Sequence, residues 1–194
     1  MRARRIGPAL TLILGLAASG AAQEAGLHIA SGAFLANDAV CREIYGATVP
    51  LMAEIWLKTK GPFGVSSGLT WLADGGLAIA QGGGSEEYPL KLRRATIPLI
   101  AFYQLDLKAV HLRFGAGLGI HKYRELWTTK DIVYEGSKVS PRFVFQAWKR
   151  LAGRLSFIGT FVYEGVSTGA GSVLASSVDL GGYQLLGGVS YRLF

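Results

Sequence analysis

Three histidines, one cysteine and a scatter of arginines and carboxylates are the residues of this 194-residue chain that could carry chemistry. A lipid hydrolase would need a serine and a histidine within hydrogen-bond reach, with an acid to orient the imidazole. The histidines are His28, His111 and His121, and none is followed by an acidic or histidine partner at the spacing of a zinc motif. GAGLG at 115–119 lies inside an alternating segment and opens no helix, and TGAGS at Thr168–Ser172 lacks the lysine of a phosphate loop, so both are read as structural. What remains is ionic: Glu54, Arg113 and Arg192 as one candidate set, and Arg94, His121, Arg142 and Glu164 as another. A lone buried charge costs several kcal/mol or more, so such groups must pair if the fold encloses them. The residues predict no catalytic group, no metal site and no cofactor.

What positions these groups is a period of two. Over 109–121, Val110, Leu112, Phe114, Ala116, Leu118 and Ile120 fall on one face, and His111, Arg113, Gly115, Gly117, Gly119 and His121 on the other. That alternation specifies a long strand with one apolar face. It recurs at 47–58, where Val49, Leu51, Ala53, Ile55 and Leu57 oppose Thr48, Glu54 and Lys58, and at 154–165, where Leu155, Phe157, Phe161 and Tyr163 oppose Ser156, Thr160 and Glu164. The same reading predicts strands at 27–35, 47–58, 63–74, 91–104, 109–121, 139–150, 154–165 and 178–193. Their connections alternate in length: tight at Thr59–Pro62, Leu105–Lys108 and Leu151–Gly153, long at 36–46, 75–90, 122–138 and 166–177. All tight turns therefore lie at one end, the arrangement of a transmembrane β-barrel.

Composition agrees. The chain is 50% hydrophobic and 17% charged with 27 glycines, yet it holds no apolar run of the ~20 residues that a spanning helix needs. Arg2, Arg4 and Arg5, the apolar stretch Ile6–Leu16 and the small residues Ala18–Ala22 predict a secretory signal peptide over 1–22, leaving 23–194 as one barrel domain. Its removal lowers the net charge from +7 to +4, which implies no nucleic-acid partner. Cys41, the one cysteine, can form no internal disulfide and is read as an incidental thiol.

Barrel size decides which face points inward. An eight-stranded barrel has an interior just wide enough for side chains, so the face of glycine, serine and paired charges fits inside and the apolar face meets lipid. Phe63, Tyr103 and Tyr191 fall near the tight-turn ends, and Trp71 and Tyr163 near the long-loop ends, all on the outward face. Two such rings suit two membrane interfaces. Tyr123 has the right height and the wrong parity.

The segments Asn37–Gly46 (NDAVCREIYG), Glu86–Pro98 (EEYPLKLRRATIP), Arg113–Tyr123 (RFGAGLGIHKY) and Leu180–Phe194 (LGGYQLLGGVSYRLF) resemble the outer-membrane protein β-barrel domain family. The resemblance implies an all-β, eight-stranded antiparallel up-and-down transmembrane β-barrel in the cell outer membrane with periplasmic termini; it leaves activity open. It also implies a last strand read by the barrel assembly machinery, although Leu185, Val189, Tyr191 and Leu193 alternate one residue out of phase with Phe194.

With periplasmic termini, strand direction places Arg94, His121, Arg142 and Glu164 in the upper lumen and Glu54, Arg113 and Arg192 in the lower half. Two buried clusters are predicted, Glu164 with Arg142 above and Glu54 with Arg113 and Arg192 below, which plug the lumen. Pro98, inside a strand of a closed sheet, predicts a bulge or a broken ladder bond. A short helix over 37–45 with an asparagine cap is predicted at the rim. The long loops, with Glu86, Glu87 and Tyr88 in one and Arg124, Trp127, Lys130 and Tyr134 in another, suit either a solvated hairpin or contact with lipopolysaccharide, a cell or a host protein. The expected function is a monomeric, non-catalytic outer-membrane barrel with a structural or adhesive role through its loops. The alternative is a conduit or binding site for small hydrophobic molecules, passed sideways at a wall bent by Pro98.

Overall fold

Strict alternation leaves each strand with one face for hydrocarbon and one for side chains only, and closure into a ring satisfies both without leaving an unpaired edge. The computed structural model describes residues 23–79, 87–167 and 179–194. The predicted signal peptide over 1–22, Gly82–Gly84 and the TGAGS run lie outside the described residues. Among the described residues the strands are β1 (Glu24–Ala36), β2 (Leu51–Lys58), β3 (Phe63–Ile79), β4 (Glu87–Asp106), β5 (His111–Trp127), β6 (Ile132–Ala152), β7 (Leu155–Glu164) and β8 (Gly182–Arg192), with a helix, α1 (Ala39–Tyr45), after β1. Each pairs antiparallel with the next, and β1 pairs with β8 from Gly26↔Arg192 to Ala36↔Gly182, so the sheet closes.

The polarity is inverted relative to a water-soluble globule. Leu51, Ile55, Leu69, Phe114, Leu118, Phe143, Phe157, Leu185 and Val189 are exposed on the outside, while Glu54, Arg94, Arg113, His121, Arg142, Gln146 and Glu164 are buried within. A wall of this kind suits hydrocarbon as its outer solvent. Phe63 and Tyr103 meet edge to face at 5.4 Å near one rim, and Tyr163 and Tyr183 lie 5.1 Å apart toward the other. Tyr123 is buried inside, as its parity requires.

Several boundaries move. β5 and β6 run on past the predicted ends at 121 and 139, pairing as far as Trp127↔Ile132, and β3 and β4 pair as far as Ile79↔Glu87. Much of two long connections is thus hairpin that extends the sheet. β2 begins at Leu51 rather than 47, because Thr48 pairs with Phe34 only as an isolated bridge. Between β6 and β7 the chain turns at Gly153, whose φ of +54° suits glycine.

Pro98 produces no bulge. The β4–β5 register is unbroken through Pro98↔Gly119, and the β3–β4 ladder resumes in the same register after skipping from Ser67↔Leu99 to Thr70↔Thr96. The missing proline amide interrupts the β3–β4 pairing without shifting its register; the one register shift among the described strands falls at Arg150/Ala152. The rim helix forms, but its cap is Asp38 rather than Asn37: the Asp38 carboxylate accepts from the amides of Val40 and Cys41 at 2.8 and 3.1 Å.

Candidate functional site

Every inward side chain of a narrow barrel competes for one axis, so the lumen is the place where chemistry could concentrate. Its contents are stacked in layers. Nearest the loop end, α1 folds over the mouth and buries Cys41 and Tyr45 against Phe34, Leu72, Leu90, Leu92, Tyr123, Val166 and Leu180. Gly76 leaves room for the helix, since a Cβ there would stand 2.6 Å from Ile44. The Tyr45 hydroxyl donates to the Glu125 carboxylate at 2.6 Å. Burial pushes the Cys41 thiol up to about 12 and raises the Tyr45 phenol as well, in both cases with a smaller contribution from Glu125. The cavity beside α1 has about 10 Å³ of free volume, room for one water.

Beneath that apolar cap lies Glu164, held between two guanidiniums. Arg94 donates to its Oε1 at 2.7 Å, Arg142 donates to its Oε2, and Gln184 adds a third bond at 3.1 Å. Arg94 also donates to the carbonyl of Leu180 and lies over the Phe34 ring at 4.6 Å, and Arg142 reaches Thr70 at 3.3 Å. The structure therefore brings Arg94, Arg142 and Glu164 together, all essentially inaccessible. His121 stands apart from that ion pair, bonded to Thr96 at 2.9 Å and Ser140 at 2.8 Å. A serine beside an imidazole is half of a hydrolytic arrangement. Here the second ring nitrogen meets a threonine hydroxyl in place of a carboxylate, and both Ser140 and His121 are sealed within the barrel.

Apolar side chains separate the two ionic layers: Ala30, Met52 and Leu186 on one side, Ile100, Val144 and Val162 on the other. Toward the terminal end comes Glu54. Gln146 donates to it at 3.1 Å and in turn accepts from Arg113 at 3.1 Å, so the amide relays between carboxylate and guanidinium, which stand 3.9 Å apart. Arg113 also donates to Gln104 at 3.2 Å and packs over Phe102 at 3.9 Å and over Trp56 and Trp148 at 4.7 Å each. These are short cation–π distances in a desolvated setting. His28 lies 3.4 Å from Glu54.

Arg192, predicted in this set, is not in it. At the level of Glu54 the register runs Glu54↔His28↔Ser190, so β8 contributes a serine there and Arg192 falls two residues nearer the terminal end. It lines a cavity of about 240 Å³ at that mouth together with Glu24, Asp106, His111 and Arg150. Two carboxylates of the mouth are already engaged, Glu24 with Lys58 at 2.7 Å and Asp106 with His111 at 2.6 Å. Alternation alone has no means of finding His28, Gln104, Gln146 or Gln184 as partners, because an uncharged inward residue carries no sign of the depth at which it is needed. No cluster of three or more His, Cys, Asp and Glu side chains able to hold a metal occurs among the described residues.

No family model and no curated protein matches the sequence. Solved structures do match. Neisserial surface protein A superposes with a TM-score of 0.55 at 12% identity, covering 87% of this chain and 96% of that one. A major outer membrane protein from Thermus thermophilus gives 0.53 at 15% identity over 88% and 98%. Ail, the attachment invasion locus protein of Yersinia pestis, solved with the heparin analogue sucrose octasulfate, gives 0.52 at 11% identity over 88% and 97%. At these identities the likeness concerns the backbone, and with the inverted polarity of the wall it leads to one statement: the chain has the fold of the small eight-stranded outer-membrane β-barrels.

Proposed function

We propose that this protein is a non-catalytic, monomeric outer-membrane barrel whose lumen is closed to solutes and whose work is structural or adhesive, carried out through the extended hairpins at its loop end. One observation carries the reading. The axis is occupied by two ionic clusters and the apolar layers around them, with Arg94, Arg113, Arg142 and Glu164 all at or below 2% exposure. An ion moving along that axis would have to separate Glu164 from Arg94 and Arg142 in a desolvated space, where breaking a buried pair is costly. The sealed His121–Ser140 contact and the absent orienting carboxylate support a non-catalytic reading. Lipid and lipopolysaccharide are its surroundings, and β8 with Phe194 is the segment that the barrel assembly machinery would read, through outward Leu185, Val189, Tyr191 and Leu193. The constant register at Pro98 removes the support for a bent wall that passes hydrophobic molecules sideways.

Planar-bilayer recording of the refolded protein tests the closed lumen. The expected trace shows no stable channel in molar salt; steady ohmic steps would refute a sealed axis. The adhesive role is tested by displaying the protein on cells with and without the tip residues 128–131 of the β5–β6 hairpin, the shortened form being expected to adhere less.

A further inference from the structure

The outward face of the β4–β5 hairpin carries a charge arrangement that the fold does not explain. Arg93 stands directly opposite Arg124, with Lys91 and Lys122 each one outward position away along their own strands. All four side chains are exposed. Like charges facing each other across a ladder destabilise it. Neighbouring strands provide little relief: β3 presents Ala73 and Gly75 opposite Arg93 and Lys91, and β6 presents Ser137 opposite Lys122. The nearest outward carboxylates are Glu135, across from Arg124, and Glu87, four residues from Lys91. Among the described residues none of the four cations forms an ion pair.

Height identifies the missing partner. One outward step from Arg93 is Ala95, paired with Trp71 on one side and Lys122 on the other, and the next row is Ile97 with Ile120. The patch therefore begins where the apolar belt ends, and spans the roughly 6 Å of a headgroup layer and a little beyond it. Long basic side chains at that level keep their stems on apolar surface and their charges among lipid phosphates.

We propose that Lys91, Arg93, Lys122 and Arg124 form a binding site for the phosphate groups of an outer-leaflet lipid, with the acyl chains of that lipid lying on Ile97, Ile120 and Leu118. The site rests on the reading of the chain as a membrane-spanning barrel, and it gives β4–β5 a lipid-facing role separate from that of the hairpin tips.

The test uses the protein refolded in phosphatidylcholine bilayers doped with either phosphorylated lipid A or the same lipid A stripped of phosphate, followed by mass analysis of the lipid retained on the detergent-released barrel. Phosphorylated lipid A should be retained selectively. The double variant Arg93→Gln/Arg124→Gln should lose that preference by roughly thirtyfold, from about fivefold per cation near an anionic surface. The control Lys108→Gln/Lys149→Gln, at the other end of the barrel, should keep it. Equal retention of the two lipids, or an unchanged double variant, overturns the site. Displacement of the lipid by inorganic phosphate or a sulfated oligosaccharide at the same residues overturns its assignment to lipid. All forms are first checked for heat-modifiable gel migration: failure to insert refutes the barrel reading itself, whereas an inserted barrel without lipid preference refutes only this site.

Discussion

Glu164 and Glu54 are both buried carboxylates facing arginine, yet they are held differently and removal should cost differently. Glu164 is the one anion between Arg94 and Arg142, so Glu164→Gln leaves two buried guanidiniums facing each other. Breaking a buried pair in this way costs about 3–5 kcal/mol. Arg113 keeps its three aromatic faces and two glutamine oxygens when Glu54 is neutralised, so Glu54→Gln should cost about 1–2 kcal/mol. Urea titration in bilayers, read by the gel shift between folded and unfolded forms, should rank the two in that order. Equal losses would mean that the aromatic box does not hold Arg113, and an unchanged Glu54→Ala variant would count against the lower cluster altogether. The sequence shows which of these residues face inward, because parity is a local property. It does not show their heights, because closure staggers each strand against the next. For that reason Arg94, His121, Arg142 and Glu164 read from the sequence as one upper set although His121 bonds Thr96 and Ser140 instead, and alternation sets Arg192 one inward row too high and gives no sign of His28.

Strands are readable for the same local reason, and their ends are not. Alternation continues beyond the membrane into water, so Tyr123 and Glu125 still point inward on a part of β5 that composition alone marks as loop. Glycines within strands also differ in a way that sequence does not display. A Cβ at Gly117 would stand 2.0 Å from the Leu99 carbonyl oxygen, whereas at Gly159 the nearest atom is the Ala147 oxygen at 3.9 Å. Gly117→Val should therefore fail to yield the heat-modifiable form, and Gly159→Val should refold normally; the same gel separates the outcomes. The helix provides a third test. Asp38→Ala removes the cap of α1, a loss of about 1 kcal/mol that falls on one short element. Cys41, buried and with its thiol pushed up to about 12, should react slowly with a soluble disulfide reagent at pH 8 in the parent protein and faster in the uncapped variant. Identical rates would show that α1 does not shield the thiol.

At the scale of the whole molecule, everything depends on which solvent the wall faces. Three of the four tryptophans sample both sides of it: Trp71 is 43% exposed on the outside beside the apolar belt, whereas Trp56 and Trp148 are 3% and 7% exposed and pack around Arg113 in the lumen. A fluorophore in contact with acyl chains is quenched by bromine carried on those chains, and one enclosed by protein is shielded from both lipid and water. Variants that keep a single tryptophan, the others replaced by phenylalanine, should divide accordingly in bilayers of shallowly brominated lipid. Emission from Trp71 should fall strongly, and emission from Trp56 or Trp148 should hardly change. A water-soluble carrier with the same strands would place its apolar residues around a central ligand and leave Arg113 outside; its Trp71 would be enclosed and escape the bromine, while Trp56 and Trp148, on the face of Arg113, would respond to aqueous iodide instead. The distinction does not depend on any loop, ligand or partner. It follows from the alternation of Leu112, Phe114 and Leu118 with Arg113, Gly115 and Gly117, whose inward and outward faces fix what the barrel can touch.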